Sequence, residues 1–205
     1  YGNHDSSDAD LNTQIAKFPY VPSNGSHKRY YHKYFAKGNF DFVALHTGVH
    51  GGVMTEADGI IESSVQGQWF KNLDLQGSRL VVGIHHPYTT PRTGPSADLD
   101  DYVADIAWIN DYADLVLHGH SHMSYHLIKN GTHIIDSSSS VRTLRDLSTS
   151  QSIYGANESN TFLEWGNEDD RLVTKILFTE KTARVDFWTV ADAGNVRLVL
   201  HSFTF

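Results

Sequence analysis

The chain has 205 residues, of which 40% are hydrophobic and 12% aromatic, and its 16 Lys and Arg against 24 Asp and Glu give a formal net charge of −8. This length predicts one domain with a sizeable core. The acidic balance disfavours binding to nucleic-acid backbones, and no apolar run reaches the roughly 18 residues that a membrane span requires. The absence of cysteine excludes disulfides and thiolate metal sites, so a metal would need nitrogen and oxygen ligands, for which the 13 histidines are the notable source.

The first predicted elements are a strand, a helix and a second strand. Residues 40–45 form an apolar strand, and a glycine-rich turn follows it. Apolar side chains recur at helical spacing over residues 63–75, where Ser63 or Ser64 can cap the helix start and Gly77 can stop its end. Residues 79–84 are continuously apolar, which predicts a strand that is buried on both faces.

The middle of the chain predicts a further helix, a strand and a hairpin. Apolar spacing indicates a helix near residues 99–109, followed by a strand at 114–117. Residues 125–129 and 132–135 are predicted strands joined by Asn130-Gly131, the favoured pair for a type I′ turn. Alternation of helices with buried strands favours a parallel sheet, whose ligands bind outside the carboxyl ends of the strands.

The last third of the chain divides into a polar stretch and an alternating tail. Residues 137–170 are rich in serine, asparagine and aspartate and predict a long polar loop inserted in a single domain spanning residues 1–205. Strands are predicted at 172–178, 183–190 and 196–205, in a second sheet rich in antiparallel pairs.

Three histidine-containing clusters carry the candidate chemistry. They are Gly2-Asn3-His4-Asp5, His85-His86-Pro87 and Gly119-His120-Ser121-His122, and the last two directly follow predicted strands. In this order the clusters resemble the motifs of the calcineurin-like metallophosphoesterases, a superfamily that includes purple acid phosphatases and class III cyclic-nucleotide phosphodiesterases.

The resemblance implies a fold, a reaction and a set of site residues. The fold class that we expect is α/β, a layered sandwich of two mixed sheets flanked by helices, incomplete at its N-terminus. The expected reaction is hydrolysis of a phosphodiester or phosphomonoester at a centre of two metal ions, which clamp the phosphoryl group and lower the pKa of an attacking water. The implied metal ligands are Asn3, His85, His120 and His122, and the implied catalytic residues are His4, which faces the substrate, and Asp5, which orients the His4 ring.

Two motifs of the superfamily are absent. Neither an Asp-x-His nor a Gly-Asp-x-x-Asp motif occurs in the 205 residues, and the second of these supplies the carboxylate that bridges the two metals. We therefore expect the chain to be the C-terminal portion of a larger domain, whose upstream segment completes the centre. Asn3, His85 and His120 would retain three of the four protein ligands to one ion, and His122 alone would serve the other. We therefore expect this chain to bind at most one metal ion tightly and to be poorly active.

Other candidates have weaker support. Arg92 and His86 are possible substrate contacts, although a solvated arginine and a histidine that merely supports His85 are the competing interpretations. His46 and His118 are interpreted as structural. Mn, Fe, Zn or Co all suit the ligand types. The expected partner is a phosphorylated small molecule, and a catalytically inactive binding or regulatory module and a nuclease of the same superfamily remain alternatives.

Overall fold

The structure is a computed structural model, and it describes residues 30–47, 49–50, 53–54, 59–89, 106–137, 161–167, 172–189 and 199–205. The predicted site residues Asn3, His4, Asp5 and Arg92 lie outside these ranges. Within them, no helix has both the length and the apolar character needed to cross a bilayer.

The described residues are organised mainly as strands. One α-helix, α1, spans Val65–Lys71, and short 3₁₀ helices span Ala36–Gly38 and Ala107–Asp111. The strands in chain order are β1 (Tyr31–Phe35), β2 (Phe40–Ala44), β3 (Val49–His50), β4 (Val53–Met54), β5 (Arg79–Gly83), β6 (Leu115–His118), β7 (Ser124–Lys129), β8 (Thr132–Asp136), β9 (Thr161–Asn167), β10 (Leu172–Phe178), β11 (Ala183–Thr189) and β12 (Val199–Thr204).

Seven strands form a mixed sheet in the order β1-β2-β5-β6-β8-β7-β9. The pairs β2–β5, β5–β6 and β6–β8 are parallel, whereas β1–β2, β7–β8 and β7–β9 are antiparallel. A separate antiparallel sheet contains β10, β11 and β12, and β3 pairs with β4 in a two-stranded ribbon. Because β5 and β6 are parallel neighbours, the segments that follow them leave from the same edge of the large sheet.

The large sheet is buried on both faces. Val82, Val116 and Ile134 pack with the aromatic side chains of Phe70 and Trp108 in one core. The adjoining residues Val81, Leu115 and Ile135 point to the opposite face and pack against Leu172, Val185 and Phe187 of the small sheet. Successive strand residues thus alternate between two apolar layers, which explains why β5 is continuously apolar after Arg79.

The start of α1 agrees with the sequence, but its end does not. Ser64 caps the helix, and its hydroxyl accepts a 3.0 Å hydrogen bond from the Gly67 amide. The helix ends at Lys71, well before Gly77. Gly77 instead donates its amide to the buried Asp41 carboxylate, and a β-carbon on Gly77 would lie 2.6 Å from the Phe40 Cα. Gly77 is therefore explained by close backbone packing rather than by a helix stop.

The predicted sandwich of two mixed sheets flanked by helices is wrong. The described residues contain one mixed sheet, a smaller sheet that is entirely antiparallel, and a single α-helix. Strands β10 and β11 are joined by only four residues, and such short connections join antiparallel neighbours, whereas parallel pairs need long crossovers. The part of the predicted helix at 99–109 that the structure describes also forms a 3₁₀ helix, Ala107–Asp111.

Several local predictions are confirmed, and one is partly wrong. The hairpin of β7 and β8 turns at Asn130 and Gly131 with φ values of 52° and 90°, the positive values that a type I′ turn requires. Within the predicted loop at 137–170, residues 161–167 form β9, which pairs with β7.

A histidine trio joins the two sheets. His126 Nδ1 is 3.0 Å from His201 Nε2, and His126 Nε2 is 2.8 Å from His133 Nδ1. Phe203 stacks on His126 with ring centroids 3.7 Å apart, and Trp165 stacks on His201. The trio links β7 and β8 of the large sheet to β12 of the small one.

The trio should make stability depend on pH. Burial, followed by the neighbouring rings of His133 and His201, lowers the pKa of His126 to about 3. Burial also lowers the pKa values of His133 and His201, against the opposing effect of the Glu164 carboxylate on both and of Asp114 on His133.

Since these histidines take up protons less readily when folded, the free energy of unfolding should fall as pH falls from about 6.5 towards 3. Each histidine that stays neutral contributes a slope of up to about 1.4 kcal/mol per pH unit. Urea unfolding at stepped pH should show this slope, and His126→Gln should reduce it. Thr132→Ala, which removes a buried hydroxyl but no titrating group, should retain the slope; an equal slope in His126→Gln would contradict the assignment.

Candidate metal centre

Two histidine-bearing segments meet at the carboxyl ends of β5 and β6. His85 and His86 follow β5, and Gly119 and His120 follow β6. The Ile84 amide donates to the Leu117 carbonyl and the Gly119 amide to the His85 carbonyl, both at 3.0 Å. These hydrogen bonds continue the parallel pairing past the strand ends and fix the two segments side by side.

Three imidazoles converge there. One ring nitrogen from each of His85, His86 and His120 lies within 4.8 Å of the others, the only group of three or more metal-binding side chains found in the described ranges. Nitrogens bound tetrahedrally to one zinc ion at 2.0–2.1 Å are about 3.4 Å apart, so binding would draw the ring nitrogens together by up to about 1.4 Å, and imidazole nitrogens are ligands that such ions prefer. The donor set therefore fits a divalent transition metal.

His86 is the most firmly held member of the cluster. Its side chain is 2% exposed, and its Nδ1 is 2.7 Å from the Thr47 hydroxyl, which leaves Nε2 for coordination. Gln66 of α1 fixes the segment before Thr47 by accepting from the His46 amide and donating to the His46 carbonyl. A hydrogen bond to the ring nitrogen that does not bind the metal, here from Thr47 to His86 Nδ1, orients a ligating imidazole.

The surroundings of the cluster favour a neutral His86 imidazole. Burial, followed by the neighbouring rings of His120 and His85, lowers the pKa of His86 to about 3. A neutral ring offers the lone pair that a metal ion needs. His85 and His120 are half-buried, so the cluster lies at the surface end of the sheet and not inside the core.

A glycine lets the two segments approach. A β-carbon on Gly119 would lie 3.3 Å from the His85 Nδ1, tighter than most such contacts, and the Gly119 amide already bonds the His85 backbone. His120 and His122 both adopt left-handed backbone conformations, with φ of 67° and 59°. The Gly-His-Ser-His segment is thus a compact and unusual turn.

The structure brings together only some of the predicted site residues. His85 and His120 meet as expected, whereas His122, though nearby in sequence, is not a member of the group of three. His86, predicted only as a weak substrate contact, takes the third place. The sequence signal for His86 was its adjacency to His85. In a regular strand, however, neighbouring side chains point to opposite faces. The two histidines can meet because the chain leaves β5 at Gly83 and bends at residues 85–86.

His118 is packed inside the protein, as the sequence suggested. It is 8% exposed, its Nδ1 is 3.1 Å from the Tyr125 hydroxyl, and burial, followed by the His85 ring, lowers its pKa to about 3. The role of Thr47 was not foreseen, because a single threonine beyond a strand carries no sequence signal.

Comparison with known proteins gives a fold similarity and nothing closer. No family model matches the chain, and no curated protein matches its sequence. A solved structure described as GAP50, the anchor in the inner membrane complex of Plasmodium, is similar with a TM-score of 0.54 and 14% sequence identity. The match covers 94% of this chain and 60% of that one. At this identity the similarity concerns the fold alone.

Metal binding should depend on the three imidazoles and on Thr47. Replacing a ligand, as in His120→Ala, should weaken Zn²⁺ binding by more than about 100-fold, because loss of an outer-shell partner alone costs 10- to 100-fold. Thr47→Val should weaken it by about 10-fold, since His86 loses its orienting hydroxyl. Competition with a chromogenic chelator measures both.

The matched control is His32→Gln, which removes a histidine on β1 that contacts Asp41 and not the cluster. Its Zn²⁺ affinity should equal that of the unchanged protein. Equal affinities in His120→Ala and the unchanged protein would show that the cluster is not the metal site.

Proposed function

We propose that this protein is a metal-dependent hydrolase of phosphoesters, with His85, His86 and His120 holding one of the catalytic ions. The observation that carries the proposal is the convergence of three imidazoles beyond the carboxyl ends of two parallel strands. This edge is where sheets with parallel strands bind ligands. The resemblance of the three histidine motifs to those of metallophosphoesterases supplies the reaction class.

Each group has a distinct task in the proposed reaction. A bound divalent ion would polarise the phosphoryl oxygen and lower the pKa of a water molecule. His85 and His120, whose rings are half-buried, would hold it together with His86, and the Thr47 hydroxyl would keep the His86 ring oriented. From the motif resemblance, His4 would protonate the leaving oxygen.

The remaining assignments follow the same resemblance. Asp5 would hold the ring of His4, and Asn3 would add an oxygen ligand to the ion. His122 would serve a second ion, for a two-metal centre of Mn, Fe, Zn or Co. Arg92 would contact a phosphate oxygen.

The substrate class that we propose is a phosphorylated small molecule. The net charge of −8 opposes accumulation on a polyanionic nucleic acid, whereas a small phosphoester needs only the local positive charge of the metal ion. Hydrolysis of long DNA would accordingly be weak and strongly dependent on salt.

A second candidate is a binding module without catalysis. It is favoured by the lack of any Gly-Asp-x-x-Asp motif in the 205 residues, which in the superfamily supplies the carboxylate between the two metals. The similar structure, GAP50, is described as an anchor, which is a binding role in that protein. A metal-loaded protein that binds phosphoesters without turnover would fit this candidate.

The two candidates are separated by a turnover assay. Protein loaded separately with Mn²⁺, Co²⁺ and Zn²⁺ should hydrolyse p-nitrophenyl phosphate or bis-p-nitrophenyl phosphate slowly but measurably, because the chain lacks the Gly-Asp-x-x-Asp carboxylate, and chelator should abolish the activity. His120→Ala should reduce kcat/KM by more than about 100-fold, since it removes a ligand of the catalytic ion.

His32→Gln is again the control and should retain the activity of the unchanged protein. No turnover with any of the three metals, in protein shown to bind them, would reject the hydrolase and favour the binding module.

A further inference from the structure

The turn that carries His120 and His122 has a backbone that its sequence disfavours. Both histidines have positive φ, at 67° and 59°, and residues with a β-carbon rarely adopt this region because the β-carbon approaches the carbonyl oxygen. Two such residues separated by one position will not persist unless the surroundings enforce them. The feature that enforces them should therefore be sought at Ser121.

Ser121 is the buried centre of this turn. Its side chain is fully buried, its hydroxyl donates a 2.5 Å hydrogen bond to the Asp136 carboxylate, and the same hydroxyl accepts from the Met123 amide at 3.3 Å. The Ser121 amide bonds the Gly119 carbonyl at 2.7 Å. The Ser121 hydroxyl thus makes one hydrogen bond within the turn segment, to Met123, and one to a carboxylate outside it, that of Asp136.

Asp136 provides a fixed point for that connection. It is the last residue of β8 and is 1% exposed. In the parallel β6–β8 pair it lies opposite His118, the residue that immediately precedes the turn. A hydrogen bond to a carboxylate is about twice as strong as one between neutral groups, and a buried one is stronger still.

We propose that Ser121 and Asp136 are positioning residues that hold the turn in its left-handed form and thereby aim His120 at His85 and His86. The proposal rests on the metal-binding part of the proposed function and adds two residues that neither the motif resemblance nor the comparisons assign. Ser121 acts through the backbone of its two neighbours, and Asp136 acts through Ser121.

The first test measures metal affinity, with Co²⁺ as the probe and its visible absorption as the signal. Ser121→Ala and Asp136→Asn should each weaken Co²⁺ binding by about 10- to 100-fold, as loss of outer-shell partners does. Ser121→Thr keeps the hydroxyl and should restore affinity to within about threefold of the unchanged protein. The combined variant should be little worse than either single one, because both act through one hydrogen bond.

The matched control is Thr132→Ala, at the other end of β8. The Thr132 hydroxyl is also buried, and it donates to the carbonyls of Asn110 and Ala113, away from the turn. Its loss should lower the unfolding temperature and leave Co²⁺ affinity unchanged. Affinity in Ser121→Ala equal to that of the control would overturn the proposal, because Ser121 would then contribute only stability.

A second test needs no metal. Glycine adopts positive φ without strain, so His122→Gly should remove backbone strain at position 122. That strain exists only while Ser121 holds the turn in its left-handed conformation. The change in thermal midpoint on His122→Gly should therefore differ by at least about 2 °C between the unchanged protein and Ser121→Ala. Equal changes in the two backgrounds would overturn the proposal.

The two tests separate this proposal from the proposed function. Co²⁺ affinity that depends on Ser121, in a protein without phosphoester turnover, would reject the hydrolase and retain the positioning role. Phosphoester turnover that is unaffected by Ser121→Ala would retain the hydrolase and reject the positioning role of Ser121.

Discussion

The candidate centre depends on the parallel pairing of β5 and β6. The two strands are neighbours in a sheet that is buried on both faces, and two backbone hydrogen bonds continue their pairing past the strand ends. A parallel neighbour is the arrangement that brings two separate chain segments out at one edge. Because β5 and β6 are held by apolar layers above and below, the imidazoles that follow them are positioned by the core itself.

The cluster of His85, His86 and His120 and the trio of His126, His133 and His201 differ in their surroundings and therefore in their capacity to bind a ligand. His85 and His120 are half-buried beside the buried His86, so the three imidazoles lie near the surface. His126 is instead enclosed by aromatic rings between the sheets, where Phe203 stacks on it. Burial lowers the pKa of a histidine in both places, and exposure decides whether the neutral ring can meet a ligand.

Local signals in the sequence predicted several strands and a hairpin but not the arrangement of the sheets, and the motif resemblance supplied two members of the cluster. Continuous apolar runs marked β5 and β6, and Asn130-Gly131 marked the hairpin, because these features arise from neighbouring residues. The alternating tail also predicted the strands of the antiparallel small sheet, whereas β9 depends on pairing with the distant strand β7, which no local period encodes. The contribution of His86 depends in the same way on Thr47, a residue 39 positions away.

X-ray absorption on the chain loaded with one equivalent of Zn²⁺ tests the central claim most directly. The account predicts a first shell at 2.0–2.1 Å with the outer scattering pattern of three imidazoles, reduced to two in His86→Ala. A shell made of oxygen alone, or a pattern unchanged in that variant, would contradict it.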